Sequence, residues 1–313
     1  MRKIIIGVLF FVVIAYFGIG FYVYGESVAV PCSIVESEKD NRPDNFSLGE
    51  KADWDPSKYF VQDYETVLIN TNDGVVLSGW WMETDKNAPT VIGLHGVTSG
   101  KHSPDVLLVG GMLVSEGFNY LTFDFRDHGE STCEDGVHSA GQKEINDVKA
   151  AVDWLINEKN IPSNKIGIHG SSFGAMVALM AQYTSDDISA LSIVDTPFDF
   201  ASLVREELIY QGFPPFLYEP VNHYALLFEG IDITEVSPED GVSKGKNPMI
   251  IFNGIKSDRV LSHHTDDLIN AGNQYNVEML INRYPELSHT EIMFVYPDEF
   301  LSKIVPFFRE RLN

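Results

Sequence analysis

Three patterns of apolar and polar positions follow one another along the chain. Ile4 to Tyr24 is apolar throughout, with no charge and no polar face. Residues 25–58 are polar, carry Pro31, Pro43 and Pro56 and the charged run Glu36 to Asp40, and show neither a helical nor a strand period; such a stretch predicts a tether. From Tyr64 onward short apolar runs alternate with longer amphipathic ones. Glu65 to Asn70 and Val75 to Met82 predict a hairpin around Asn72-Asp73-Gly74. Strands are then expected at Thr90 to Leu94, Asn119 to Phe123, Lys165 to His169, Ile188 to Val194, Met249 to Phe252 and Glu278 to Asn282. Between them fall helices around Val106 to Glu116, Glu144 to Asn157, the run after Ser172, Thr265 to Ala271 and Asp298 to Arg311. Short buried strands alternating with helices predict a mostly parallel α/β sheet covered on both faces.

The first pattern is long enough to matter by itself. Twenty-one uncharged residues from Ile4 to Tyr24 span about 31 Å as a helix, the thickness of a bilayer's hydrocarbon core. Arg2 and Lys3 precede the run and Glu26 is the first charge after it, so the positive-inside rule places the N-terminus in the cytoplasm and the rest outside. The competing reading is a cleaved signal peptide ending near Ser27-Val28-Ala29, but its apolar region is ordinarily shorter, about 7 to 15 residues. The expected organisation is therefore an anchor or uncleaved signal over 1–25, a polar tether over 26–59 and one catalytic domain over 60–313.

Composition narrows the partners. A formal charge of −23 repels phosphate backbones and argues against nucleic acid. The two cysteines, Cys32 and Cys133, could pair outside the cytoplasm or stay as two unrelated thiols, since sequence does not fix their separation. No C-x-x-C, H-E-x-x-H or comparable ligand spacing is present, so no metal and no cofactor are expected.

The candidate chemistry begins at Gly170-Ser171-Ser172-Phe173-Gly174, a G-x-S-x-G sequence directly after a strand-like run and directly before a helix-like one. A serine hydroxyl is a weak nucleophile at neutral pH and must be held where a base can reach it. A sharp strand-to-helix turn does this for Ser172, and the two glycines are required because the turn brings strand and helix backbones together.

With that elbow, Leu94-His95-Gly96 after the third strand and Asp124-Phe125-Arg126-Asp127-His128-Gly129-Glu130-Ser131 after the fourth, residues 60 to 313 resemble the α/β-hydrolase family. The last segment is similar to the family's D-x-R-G-H-G-x-S turn, with Asp127 where glycine is usual. Asp tolerates turn angles, so the departure does not disturb the fold. Ser237-Pro238 resembles the family's re-entry from a lid into the core. The resemblance implies an α/β-hydrolase sheet with a small lid insertion at about 196–236, preceded here by one transmembrane helix.

It also implies a catalytic order of Ser, then Asp or Glu, then His. Asp258, in Asn253-Gly254-Ile255-Lys256-Ser257-Asp258, resembles the acid loop, and His289, in Leu287-Ser288-His289-Thr290-Glu291, matches the histidine loop. Asp195, which also ends a strand, is the rival acid. His263 and His264 lie too soon after Asp258 and are expected at a solvated helix start. His102, His138, His169 and His223 are expected as packing or surface residues, and His95 as a loop-shaping one. The main-chain N–H groups of Val97 and Phe173 are the candidate oxyanion donors.

These assignments describe a serine hydrolase, carboxylesterase-like, that cleaves esters through an acyl-enzyme. The aromatic residues Phe198, Phe200, Tyr210, Phe213, Phe216, Tyr218, Tyr224 and Phe228 of the 196–236 segment suit an apolar acyl pocket or ordinary lid packing. Alternatives on the same triad are a thioesterase or acyltransferase, or a peptidase or amidase of the prolyl oligopeptidase kind, disfavoured because no propeller precedes the core. A non-catalytic, membrane-tethered binding module is the alternative from another class. Small-molecule esters or acyl groups and the membrane are the expected partners, and oligomeric state stays open.

Overall fold

The computed structural model describes residues 2–30 and 32–312, so Pro31 of the expected tether lies outside the described residues. The uncharged run forms one helix, α1 (Arg2–Val28), whose Lys3–Val28 stretch is long and apolar enough to cross a membrane. The alternating part folds in chain order as β1 (Glu65–Asn70), β2 (Val76–Met82), β3 (Thr90–Leu94), α2 (Pro104–Ser115), β4 (Asn119–Phe123), α3 (Glu144–Asn157), β5 (Ile166–Ser171), α4 (Phe173–Ala181) and β6 (Ala190–Val194). It continues through α5 (Phe200–Tyr210), α6 (Tyr218–Tyr224), α7 (Pro238–Gly245), β7 (Met249–Gly254), α8 (His263–Tyr275), β8 (Met279–Tyr284), α9 (Ile292–Val295) and α10 (Pro297–Arg311).

The strands make one eight-stranded sheet in the order β1-β2-β4-β3-β5-β6-β7-β8. β1 and β2 are antiparallel, and every pairing from β4 to β8 is parallel. This is the α/β-hydrolase fold, with helices on both faces. The exchange of β3 and β4 places β5 centrally, with Leu94 opposite Gly170 and Ser171 opposite Val194. The C-terminal ends of β3, β5 and β6 therefore meet at one edge, where loops of an open α/β sheet carry function. α4 is buried along its whole length, as expected for a helix apolar on all sides.

One region is packed more closely than its sequence pattern suggests. Residues 32–60 are packed on the domain rather than forming a free tether. Phe46, Leu48 and Tyr59 join the core under α2 and α10, the Trp54 indole donates to the Phe294 carbonyl at 2.8 Å, and Tyr59 lies so close to Gly111 that a Cβ there would meet its carbonyl. A few apolar anchors spaced through polar sequence carry no period, so pattern alone misses them. The cysteines do pair: a disulfide joins Cys32 to Cys133 across 101 residues, with Cα atoms 5.5 Å apart. A short antiparallel bridge between Ala29 and Val137 continues the same attachment.

The 196–236 insertion contains α5, α6 and a π-helical turn at Ala225–Glu229. Ser237 caps α7 in a reciprocal capping box with Asp240, with Pro238 at the first helical position, and this returns the chain to the core.

Candidate active site

Ser172 sits between β5 and α4 with φ 54° and ψ −120°, a backbone conformation that non-glycine residues adopt only where the surroundings enforce it. Its N–H donates to the Val194 carbonyl at 2.9 Å, and its carbonyl accepts from Ala175 and Met176. The glycines are steric necessities here. A Cβ on Gly170 would lie 2.5 Å from the Gly174 oxygen, and one on Gly174 would lie 2.4 Å from the Leu94 oxygen. Phe173 begins α4, so its N–H is among the leading donors that a helix leaves without intrahelical partners.

The loop carrying Val97 is held from beneath by the Asp124–Ser131 turn. His95 accepts from the Phe125 N–H at Nε2 (3.0 Å), leaving Nδ1 to donate to the Gly96 carbonyl at 2.7 Å. Burial lowers the His95 pKa to about 3, which keeps the ring neutral and able to hold both of these hydrogen bonds. His128 reaches the Val97 carbonyl at 2.6 Å. Asp124 accepts from the Lys101 N–H (2.7 Å), the Lys101 ammonium (2.7 Å) and the Glu130 N–H (2.9 Å). Both side chains of this pair are fully buried, so removing Lys101 would strand the Asp124 charge, whereas Lys101 also pairs with Glu130 at 2.6 Å. Asp127, with φ 62°, accepts from the N–H groups of Glu134, Asp135 and Gly136. It therefore shapes the loop that presents Cys133.

His289 lies in the loop after β8 and is half-buried, and desolvation of its ring, reinforced by the Lys51 and Arg259 charges and opposed by Asp258, lowers its pKa to about 4. The ring is neutral at pH 7. Its Nδ1 neighbour is the Ser257 hydroxyl at 3.4 Å. Asp258 is exposed, acts on His289 through its charge, and makes no hydrogen bond to it; nor does Ser172 bond His289 among the described residues. Asp195 is held differently. It is 2 % exposed, accepts at Oδ1 from Asn253 Nδ2 (3.0 Å) and the Gly254 N–H (2.8 Å), and at Oδ2 from the Thr290 N–H (2.7 Å). Burial raises its pKa to about 6 against those bonds. Asp195 thus ties the end of β7 to the residue after His289.

Several participants escaped the sequence reading. His264 is buried rather than solvated. Its Nδ1 faces the Phe198 N–H at 3.2 Å and its Nε2 the Glu206 carboxylate at 3.2 Å, and His263 Nε2 meets the other Glu206 oxygen at 2.5 Å. Because His264 Nδ1 accepts, its Nε2 carries the proton and gives it to Glu206; the three residues form a hydrogen-bonded clasp between α5 and α8. The N-terminal segment also reaches the site: Ser99, two residues past Val97, donates to Glu38 at 3.1 Å, and burial raises the Glu38 pKa to about 7. A cavity of about 490 Å³ lies under the insertion, lined by residues including Phe198, Phe200, Met176 and Met180 but not by Ser172, His289 or Asp258. Of the insertion's aromatics only Phe198 and Phe200 line it.

Comparison with known proteins fits this geometry. A model of the prolyl oligopeptidase family matches residues 110–313. The chain is 28 % identical over 242 residues to the uncharacterized protein YqkD of Bacillus subtilis, covering 75 % of this chain and 73 % of that protein. It is 23 % identical to the α/β hydrolase domain-containing protein WAV2 of Arabidopsis thaliana, over 78 % of this chain and 80 % of that one. The esterase Pf2001 of Pyrococcus furiosus superposes with a TM-score of 0.66 at 27 % identity, covering 87 % of this chain and 100 % of its own.

Proposed function

The chain belongs to the prolyl oligopeptidase family, and from that premise we propose that this serine hydrolase cleaves carboxylic esters through Ser172, His289 and Asp258. The observation that carries the reading is the backbone of Ser172, held at φ 54° between two glycines that admit no side chain. Strain of this kind persists only where surrounding structure maintains it, and it exposes the hydroxyl at the sheet's C-terminal edge.

In the proposed reaction Ser172 Oγ forms a bond to the ester carbonyl carbon while neutral His289 takes the hydroxyl proton. The Val97 and Phe173 N–H groups receive the oxyanion. The carbon–oxygen bond to the alcohol then breaks, His289 returns the proton to the leaving oxygen, and water repeats the sequence to free the acid. Asp258 balances the imidazolium that forms between these steps. Catalytic hydrogen bonds in the free enzyme are often long or poorly aligned and tighten with substrate, and the reading requires His289 to turn from its 3.4 Å contact with Ser257 toward Asp258 and Ser172 when substrate binds. The similarity to an esterase over that protein's full length favours esters. The family's name favours peptides, and this second reading is separated by comparing p-nitrophenyl esters with aminoacyl p-nitroanilides.

The decisive test uses the full chain in detergent with p-nitrophenyl esters of graded acyl length. Ser172→Ala is expected to lower kcat by ~10⁴-fold or more; equal turnover by the variant would overturn the mechanism.

We place the protein at a membrane, anchored by α1 with the catalytic domain on the extracytoplasmic side. The Cys32–Cys133 disulfide supports that side, since disulfides persist in oxidising compartments. Retention of α1 is supported by its own contacts. Val23, Tyr24 and Val28 pack with α5 and α6, and the Val28 carbonyl accepts from the His138 N–H at 2.9 Å; cleavage after Ala29 would remove all of these.

A further inference from the structure

The C-terminal half of α1 does not stand clear of the domain. Tyr16 Oη meets His223 Nδ1 at 2.6 Å, and the rings of Phe17 and Phe228 have centroids 5.4 Å apart. A Cβ on Gly20 would lie 2.3 Å from the Pro220 carbonyl oxygen, so the glycine is what lets α1 and α6 touch. From Tyr16 to Val28, then, the helix lies along the lid. The part still free, Lys3 to Ala15, is about 20 Å long, whereas a hydrocarbon core is about 30 Å thick. A helix anchored in the bilayer cannot both keep its lid contacts and cross the membrane unless part of the lid goes in with it.

The lid has the surface for that. Phe216, Leu227 and Phe228 are 69 %, 64 % and 60 % exposed, and Leu226 is 47 % exposed. They lie in the segments flanking α6, and the Phe17–Phe228 contact fixes their level on α1. Phe17 is seven residues before Tyr24, where the uncharged run ends, so Phe228 sits about 10 Å inside that limit. This is the depth at which amphipathic elements lie in the headgroup and acyl boundary, about 5 to 10 Å. Glu229 follows directly and can reach water from such a depth. The remaining charges near α6 are paired, Arg205 with Glu219 at 3.2 Å.

We propose that the Phe216–Phe228 face of the lid is seated in the bilayer beside α1, and that this enzyme draws its acyl esters from the membrane rather than from water. The occupant of the face is the lipid surface. The substrate class rests on the serine hydrolase reading, while the seating does not.

The test therefore separates the two. Full-length Leu227→Trp and Leu68→Trp variants are reconstituted in phosphatidylcholine vesicles with and without lipid brominated along its acyl chains, and the wild-type tryptophan emission is subtracted. Leu68 is the control because it is 64 % exposed on the edge strand β1. Emission from Leu227→Trp is expected to be quenched by about half or more, as for a side chain at the acyl boundary, and that from Leu68→Trp to be unchanged. Equal, weak quenching of both overturns the proposal, as does protection of Leu227→Trp by a second copy, revealed by a dimer of the full chain in nanodiscs. Adding Ser172→Ala is expected to leave the quenching intact. Leu226→Asp with Leu227→Asp is expected to retain turnover of a short, water-soluble ester and to lose about tenfold on a long-chain ester dispersed in vesicles, since charge at this depth opposes insertion. Parallel loss on both substrates would remove the substrate inference, and absence of turnover on either by the wild type would remove the hydrolase reading while leaving the quenching result standing.

Discussion

Two aspartates compete for the place beside His289, and their environments assign them different work. Asp195 is buried with both oxygens engaged by N–H donors from Asn253, Gly254 and Thr290. An asparagine there would turn an amide donor toward one of those donors. Asp195→Asn is expected to destabilise the fold by about 1 to 3 kcal/mol, read as a lower melting temperature, with activity falling in step. Asp258 is exposed and faces His289 only through its charge. Asp258→Asn is expected to leave the melting temperature unchanged and to lower kcat by ~10⁴-fold, as loss of the triad acid does elsewhere. The reverse pattern would make Asp195 the acid. His289 supplies a third measurement. Its pKa is lowered from 6.5 to about 4, and a base works in its neutral form, so acidification removes activity only as pH falls through the lowered value. The acid limb of kcat/KM, which reports the free enzyme, is expected well below 6.5; a limb at 6.5 would place His289 in an exposed, solvated loop instead.

At the level of elements, what could be read from the chain and what could not divide on a physical line. The hairpin is β1 and β2, and the strands Thr90 to Leu94 and Asn119 to Phe123 and the helix Glu144 to Asn157 coincide with β3, β4 and α3, because each announces itself by local period. Ser172 was legible for the same reason: strand, elbow and helix are contiguous. The hydrogen bonds of Asp195, the part of Glu206 and the burial of His264 depend on partners 57 to 95 residues away, which no local pattern encodes. The packed segment 32–60 is the largest such case, since the core that Phe46, Leu48 and Tyr59 join is made with α2 and α10. That segment is held at its start by the disulfide, whose closed loop of 101 residues restricts the unfolded chain. Reduction, or replacement of Cys32 and Cys133 by serine, is expected to cost about 2 to 5 kcal/mol, measured by denaturant unfolding of the full chain in detergent with and without reductant. Unchanged stability would mean that Phe46, Leu48 and Tyr59 hold the segment without help.

Across the whole molecule, the orientation of α1 and the chemistry of the cysteines have to agree. A helix entered by Arg2 and Lys3 and followed first by Glu26 is expected to send the domain outward, and outward is where a Cys32–Cys133 bond survives. The two arguments are independent, one from charge at the membrane and one from redox compartment. Both are tested on intact spheroplasts of expressing cells. Protease added outside is expected to degrade the domain while a cytoplasmic marker survives, and a thiol-reactive polymer is expected to label the denatured chain only after reduction. A surviving domain with two labelled thiols would put the domain in the cytoplasm and leave the loop at Cys133 without its covalent tie. The chain recovered from the membrane fraction should weigh 35.0 kDa. Loss of the residues before Val30 would separate the lid from α1, because Gly20, Tyr24 and Val28 are the surface on which α6 rests.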